Sequence, residues 1–344
     1  MHKTKVIVSV IIILFTHPGS HAQKYRNLVM EGGGIKGIAY GGALQELENK
    51  GILQGIVRTA GTSAGAIQAC LLALGYSPSE ITDIISNTPV ESFNDDGFVL
   101  TGSKRLINKF GWYKGDSFLL KMEEVIQQRT GNPNLTSREL HQLAQSYPFR
   151  DLYVTGCNLT KQKIEVFSYE THPDMRVADA VRISMSIPLY YRGVWVNEQG
   201  KISENPLPGE NCSLFVDGGL LMNFPVALFD NKKYFQPDNE KSDFNPETLG
   251  LRLERCEQIE HEVQKKEGLA PFEITDFSSY MSALSGIIMR NVNTLNPRDA
   301  ERTIYINDLG VSARVRKVPE DEKKRMMLSG RQGVIDFFGR YGSH

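Results

Sequence analysis

The chain has 344 residues, 40% hydrophobic and 23% charged, with 39 basic against 40 acidic side chains and a formal net charge of −1. That length allows one large domain or one with a modest appendage, and the apolar content suffices for a sizeable core. A near-neutral balance excludes binding driven by bulk attraction to phosphate, so no nucleic-acid partner is expected.

Lys3 and Lys5 precede an apolar run over 6–15, and a polar exit follows with Ser20 and Ala22 at the −3 and −1 positions. This layout reads as a secretory leader over 1–22, cleaved before Gln23. The alternative, a membrane anchor, is disfavoured because ten residues are too few to span a bilayer. The expectation is an exported protein, periplasmic or secreted. Export would permit disulfides, but Cys70, Cys157, Cys212 and Cys256 are widely spaced and give no basis for a pairing. Cys70 and Cys157 read as small buried hydrophobes.

In chain order, 27–30 reads as a short apolar strand, followed by GGGIKG at 32–37 and a helix over 38–50 that Gly51 ends. A second strand over 56–60 runs into GTSAG at 61–65, and a helix over 66–74 follows. Thr136 and Glu139 form a capping box for a helix reaching about 146. Segments 151–159 and 163–169 read as paired strands, and 177–185 as a helix stopped by Pro188. A strand over 214–216 enters DGG at 217–219, strands over 249–253 and 303–306 come next, and an amphipathic helix over 320–341 closes the chain. Alternation of strands and helices predicts an α/β fold with a mainly parallel sheet between two helical layers. Residues 87–115, with Phe93, Phe98, Phe110, Trp112 and Tyr113, read either as a lid beside an apolar site or as a loop packed on the core. Residues 231–246 read as a surface excursion.

GTSAG fits G-x-S-x-G, which holds Ser63 on a tight strand-to-helix turn with its hydroxyl clear of the backbone. Gly61 and Gly65 remove side chains that would collide there. GGGIKG could instead be a dinucleotide fingerprint, but the acidic residue expected at the end of the second strand is missing, because that strand ends in the serine turn. Gly32, Gly33 and Gly34 are therefore expected to supply N–H donors for an oxyanion, with Lys36 adding positive charge there or lying exposed. A hydroxyl nucleophile needs a base. His2, His17 and His21 leave with the leader, His344 is terminal, His141 and His172 lie in a helix and a turn, and His261 sits in a charged stretch. Elimination turns attention to Asp217, which ends an apolar strand before two glycines. Burial would raise its pKa from about 3.9 and suit it to accept the serine proton.

These residues resemble the patatin-like phospholipases, which carry a glycine-rich oxyanion loop, a G-x-S-x-G turn and a later D-G-[GA] in that order. GGGIKG, GTSAG and DGG match, with Gly37, Gly218 and Gly219 as further motif glycines, and SMSIP at 184–188 resembles the family's serine- and proline-containing segment. Glu31 stands where aspartate is frequent and Lys36 where arginine is frequent. The resemblance implies a three-layer patatin-like fold with a catalytic domain over 25–230 and an extension over 231–344 completing it. It also implies a Ser63–Asp217 dyad without histidine, phospholipid or other acyl-lipid substrates met transiently at a membrane surface, and no metal or cofactor. The non-enzymatic alternative is a lipid-binding or host-interaction protein on the same fold.

Overall fold

The computed structural model describes residues 25–207, 209–235, 243–292 and 296–341; the expected leader and part of the 231–246 excursion lie outside them. The strands are β1 (Asn27–Met30), β2 (Arg58–Gly61), β3 (Gly111–Tyr113), β4 (Asp151–Asn158), β5 (Lys163–Phe167), β6 (Leu189–Tyr191), β7 (Val194–Asn197), β8 (Ile202–Ser203), β9 (Cys212–Asp217), β10 (Thr248–Glu254) and β11 (Thr303–Asn307). The helices are α1 (Ala39–Asn49), α2 (Ala64–Ala73), α3 (Pro78–Asn87), α4 (Val99–Lys109), α5 (Asp116–Thr130), α6 (Ser137–Leu143), α7 (Val177–Ser184), α8 (Gly219–Met222), α9 (Cys256–Val263), α10 (Phe277–Val292) and α11 (Glu320–Tyr341).

Strands β11, β10, β1, β2 and β4 run parallel in that order, and β9, β7 and β8 continue the sheet antiparallel. The central strands are apolar on both faces, as buried parallel strands must be. Leu28, Met30, Leu152 and Val154 point into the large core shared with α1, α2 and α11, while Val29, Ala60 and Tyr153 meet Phe224, Val226 and Phe229 on the other face. This is the three-layer α/β/α arrangement, and residues after 247 add β10 and β11 to the same sheet and lay α11 along α1.

The registers carry one consequence for the site. Val154 pairs with both Gly61 and Phe167, and Gly156 pairs with both Glu165 and Asp217. Because β5 takes one edge of β4 at both Val154 and Gly156, β2 and β9 share the other edge, end to end and running toward each other. The end of β2 therefore faces the end of β9 with only Thr155 between their last pairings.

Several elements escaped the sequence patterns: α3, α4, α5, α8, α10, β3 and β6 to β8. Residues 87–115 divide between the two readings. Phe93 packs edge-on against Phe118 with ring centroids 5.3 Å apart, whereas Phe98 and Phe110 on either side of α4 stay exposed. All four cysteines are unpaired, with Cys70 and Cys157 buried.

Candidate active site

Ser63 sits between β2 and α2 with φ 52° and ψ −121°, a left-handed backbone that strains a residue bearing a side chain by about 1–3 kcal/mol. Packing enforces it. A Cβ on Gly61 would lie 2.4 Å from the Gly65 carbonyl carbon, and one on Gly65 would lie 2.2 Å from the Met30 carbonyl oxygen. Neither obstacle is a flexible side chain. Gly65→Ala is expected to lower stability by about 3 kcal/mol, the scale of a forced overlap in a packed interior. Urea unfolding checks this, and an unchanged midpoint would show that the turn relaxes freely.

Asp217 is 6% exposed and Ser63 8%. Burial pushes the Asp217 carboxyl up to about 6, against the lowering effect of the Gly219 N–H at 2.7 Å and of the Ser63 hydroxyl, which donates to it. The two residues are held by a common strap. The Ser63 N–H donates to Ser184 Oγ at 2.9 Å, and the Asp217 N–H donates to the Ser186 carbonyl at 2.9 Å. Arg182, buried beneath, donates to Ser186 Oγ and to the Lys114 carbonyl. Thr62 and Thr155 join hydroxyls 2.6 Å apart at the gap between β2 and β9, and a Cβ on Gly218 would strike that Thr155 hydroxyl at 2.3 Å.

The glycine loop abuts the serine: a Cβ on Gly32 would lie 3.2 Å from Ser63 Cβ. Two expectations about it need correction. The Gly32 N–H is already taken by the Asn223 carbonyl at 3.0 Å, so the donors left open in the loop are those of Gly33 and Gly34, whose N–H groups meet no acceptor among the described residues. Lys36 carries its ammonium to Asp308, where it ties the loop to the end of β11 instead of adding charge for an oxyanion. Gly34 has φ 56° and lies under the Ala313 carbonyl, and Gly37 packs on Ala64. The N-terminus of α2 starts immediately after Ser63 and brings partial positive charge to the same place.

The roles of two further residues were not read from the sequence. Asn223 brackets the loop, with Nδ2 donating to the Gly32 carbonyl at 3.1 Å while its own carbonyl takes the Gly32 N–H. Its signal was a lone amide in the apolar run that follows DGG. Glu31 rivets the loop to β10: one carboxylate oxygen accepts the Leu253 N–H at 2.9 Å and the other faces Arg252 at 3.5 Å. The body's histidines are engaged elsewhere. His141 meets Asp151 at the start of β4, His172 faces Glu165, and His261 contacts the Glu267 carbonyl.

A strained serine on a strand-to-helix turn, a buried carboxylate beside it and open backbone donors thus meet at one place in the fold. The sequence model described as patatin-like phospholipase matches residues 28–230, and the chain belongs to that family. It is 31% identical over 207 residues to an uncharacterized protein of Acanthamoeba polyphaga mimivirus, covering 60% of this chain and 62% of that protein. It is 27% identical over 224 residues to a probable lipid hydrolase of Invertebrate iridescent virus 6, covering 64% and 68% of the two chains. Among solved structures, VipD from Legionella pneumophila superposes with a TM-score of 0.56 at 18% identity, covering 92% of this chain and 67% of that one, a likeness of fold.

Proposed function

We propose that the protein is an exported lipid acyl hydrolase that cleaves acyl ester bonds of phospholipids or related acyl lipids through Ser63 and Asp217. The observation carrying this reading is the meeting of a positive-φ serine with a desolvated carboxylate whose pKa stands near neutrality. An ordinary aspartate is too acidic to take a hydroxyl proton; burial brings Asp217 closer to the task.

Asp217 accepts the Ser63 proton as the serine oxygen attacks the ester carbonyl. The Gly33 and Gly34 N–H groups and the α2 N-terminus stabilise the tetrahedral oxyanion. The leaving alcohol departs with the proton from Asp217, and an acyl-serine remains. Water then attacks that ester, Asp217 takes its proton, and the fatty acid leaves as Ser63 regains the hydrogen. The family and the relative named as a probable lipid hydrolase support acyl lipids as the substrate class. The basic, then apolar, N-terminal stretch supports export.

The test is chemical labelling. A fluorophosphonate is expected to add a single adduct at Ser63, located by peptide mass spectrometry, and mixed phospholipid vesicles are expected to release fatty acid with the wild type but not with Ser63→Ala. Labelling at another serine, or equal release by both proteins, would refute the assignment.

A further inference from the structure

Three segments adjoining the site combine exposed apolar side chains with an absence of acidic residues. α10 lies against α8, the turn immediately after Asp217, and leaves Phe277, Tyr280, Met281, Leu284, Ile287 and Ile288 exposed. Their spacing of three and four places them in one stripe along the helix. α4 exposes Val99, Leu100 and Ile107, and it packs on β3. β3 pairs with β6, whose first residue Leu189 is 68% exposed and stands three positions beyond Ser186, the residue that holds the Asp217 N–H. The third segment, 309–319, covers the glycine loop, with the Ala313 carbonyl against Gly34.

None of the chain's 40 acidic side chains falls within 99–109, 277–292 or 309–319. Exposed cations stand there instead: Lys104 and Lys109 on α4, and Arg314 and Lys317 in the third segment. In a chain that is nearly neutral overall, an apolar stripe on α10 together with basic positions on α4 and in 309–319 has the makings of an interfacial surface, where apolar side chains enter the headgroup boundary and cations meet anionic lipid. A lipid surface can take up separate segments without matching their shape. None of the described helices is long and apolar enough to cross a membrane.

We infer that α10, the α4 and Leu189 patch, and the 309–319 segment dock the protein peripherally on an anionic lipid surface with the Ser63–Asp217 site at its edge. The inference rests on the hydrolase reading for what the docked protein does there.

The test uses the full chain bearing Ser63→Ala, so that vesicles stay intact, in co-sedimentation with phosphatidylcholine vesicles and with equal mixtures of phosphatidylcholine and phosphatidylglycerol. Binding to the mixed vesicles is expected to be about tenfold tighter and to weaken as salt is raised. Phe277→Ser with Ile287→Ser should weaken it by about tenfold or more, and Arg314→Gln with Lys317→Gln should remove most of the anionic preference. With Ser63 restored, both variants should keep wild-type hydrolysis of a short soluble p-nitrophenyl ester and a wild-type circular dichroism spectrum. Unchanged vesicle binding by the helix variant, or equal affinity for neutral and anionic vesicles, overturns the docking surface. So does a wild-type dimer that the same substitutions split into monomers without any vesicle binding, because the stripe would then join copies of the chain. Vesicle binding by a wild type that hydrolyses no soluble ester would remove the hydrolase reading and leave the docking surface standing.

Discussion

Ser63→Ala should reduce turnover of a p-nitrophenyl ester by on the order of 10⁴-fold or more, the scale on which hydrolases lose activity with their nucleophile. The substitution adds no volume and removes one hydroxyl, which donates to Asp217, so the change in stability should be limited to that one hydrogen bond, about 1 kcal/mol. The strained φ of 52° persists because it is imposed by Gly61, Gly65 and the Met30 carbonyl and not by the hydroxyl. A thermal midpoint within a few degrees of wild type, together with the lost rate, would separate chemistry from folding. Retention of more than a few per cent of the activity in a stringently purified sample would move the nucleophile elsewhere.

Asp217→Asn should act in two opposite directions. Hydrolysis should fall by about 10²–10⁴-fold, the contribution of a positioned base. Stability should rise. The folded carboxyl is pushed from 3.8 up to about 6 by burial, so in the folded protein the protonated form is favoured. Stability associated with that proton is fully present below the unfolded pKa and is lost as pH rises through about 6. Above that pH the ionised group opposes folding by about 3 kcal/mol as an upper figure. Asparagine carries no charge to desolvate, so the variant should be more stable than wild type by about 1–3 kcal/mol at pH 8, with the difference shrinking toward pH 4. Denaturant midpoints of both proteins at the two pH values check the sign. In the wild type, kcat/KM should rise as pH passes upward through about 6 and level off above it. A variant less stable at pH 8, or a wild-type profile flat between pH 5 and 7, would mean that Asp217 is not a desolvated base.

The parts of the site readable from sequence were those fixed by local backbone chemistry. Ser63, Gly61 and Gly65 lie within five positions, and the turn they form follows from which residues lack a Cβ. Asp217 became a candidate through DGG and through the poor placement of each histidine. What stayed hidden depends on partners far along the chain. The Gly32 N–H looked available until β9 and α8 delivered the Asn223 carbonyl to it. Lys36 looked like an oxyanion cation until Asp308, 272 positions away, claimed its ammonium. The end-to-end meeting of β2 and β9 is a matter of register along β4, which no single segment encodes. Among the missed helices the causes differ. α3 announces itself locally, with Ser77, Pro78 and Glu80 in a complete capping box. α5 has no such box; its first N–H groups are taken by the Asp95 carboxylate across 20 to 22 positions.

The place of β1 in the sheet also sets a timetable for making the protein. β1 is the first described strand, yet one of its two neighbours is β10, and the Glu31 carboxylate beneath the glycine loop awaits the Leu253 N–H 222 positions later. At about 5–20 residues per second of synthesis, the ribosome needs roughly 10–45 seconds to deliver that partner. Throughout this interval β1, even if already paired with β2, presents an open edge able to add a stray strand. A nascent chain released at residue 230 would contain Ser63 and Asp217 but keep that edge permanently, so early termination should yield aggregates instead of a small working enzyme.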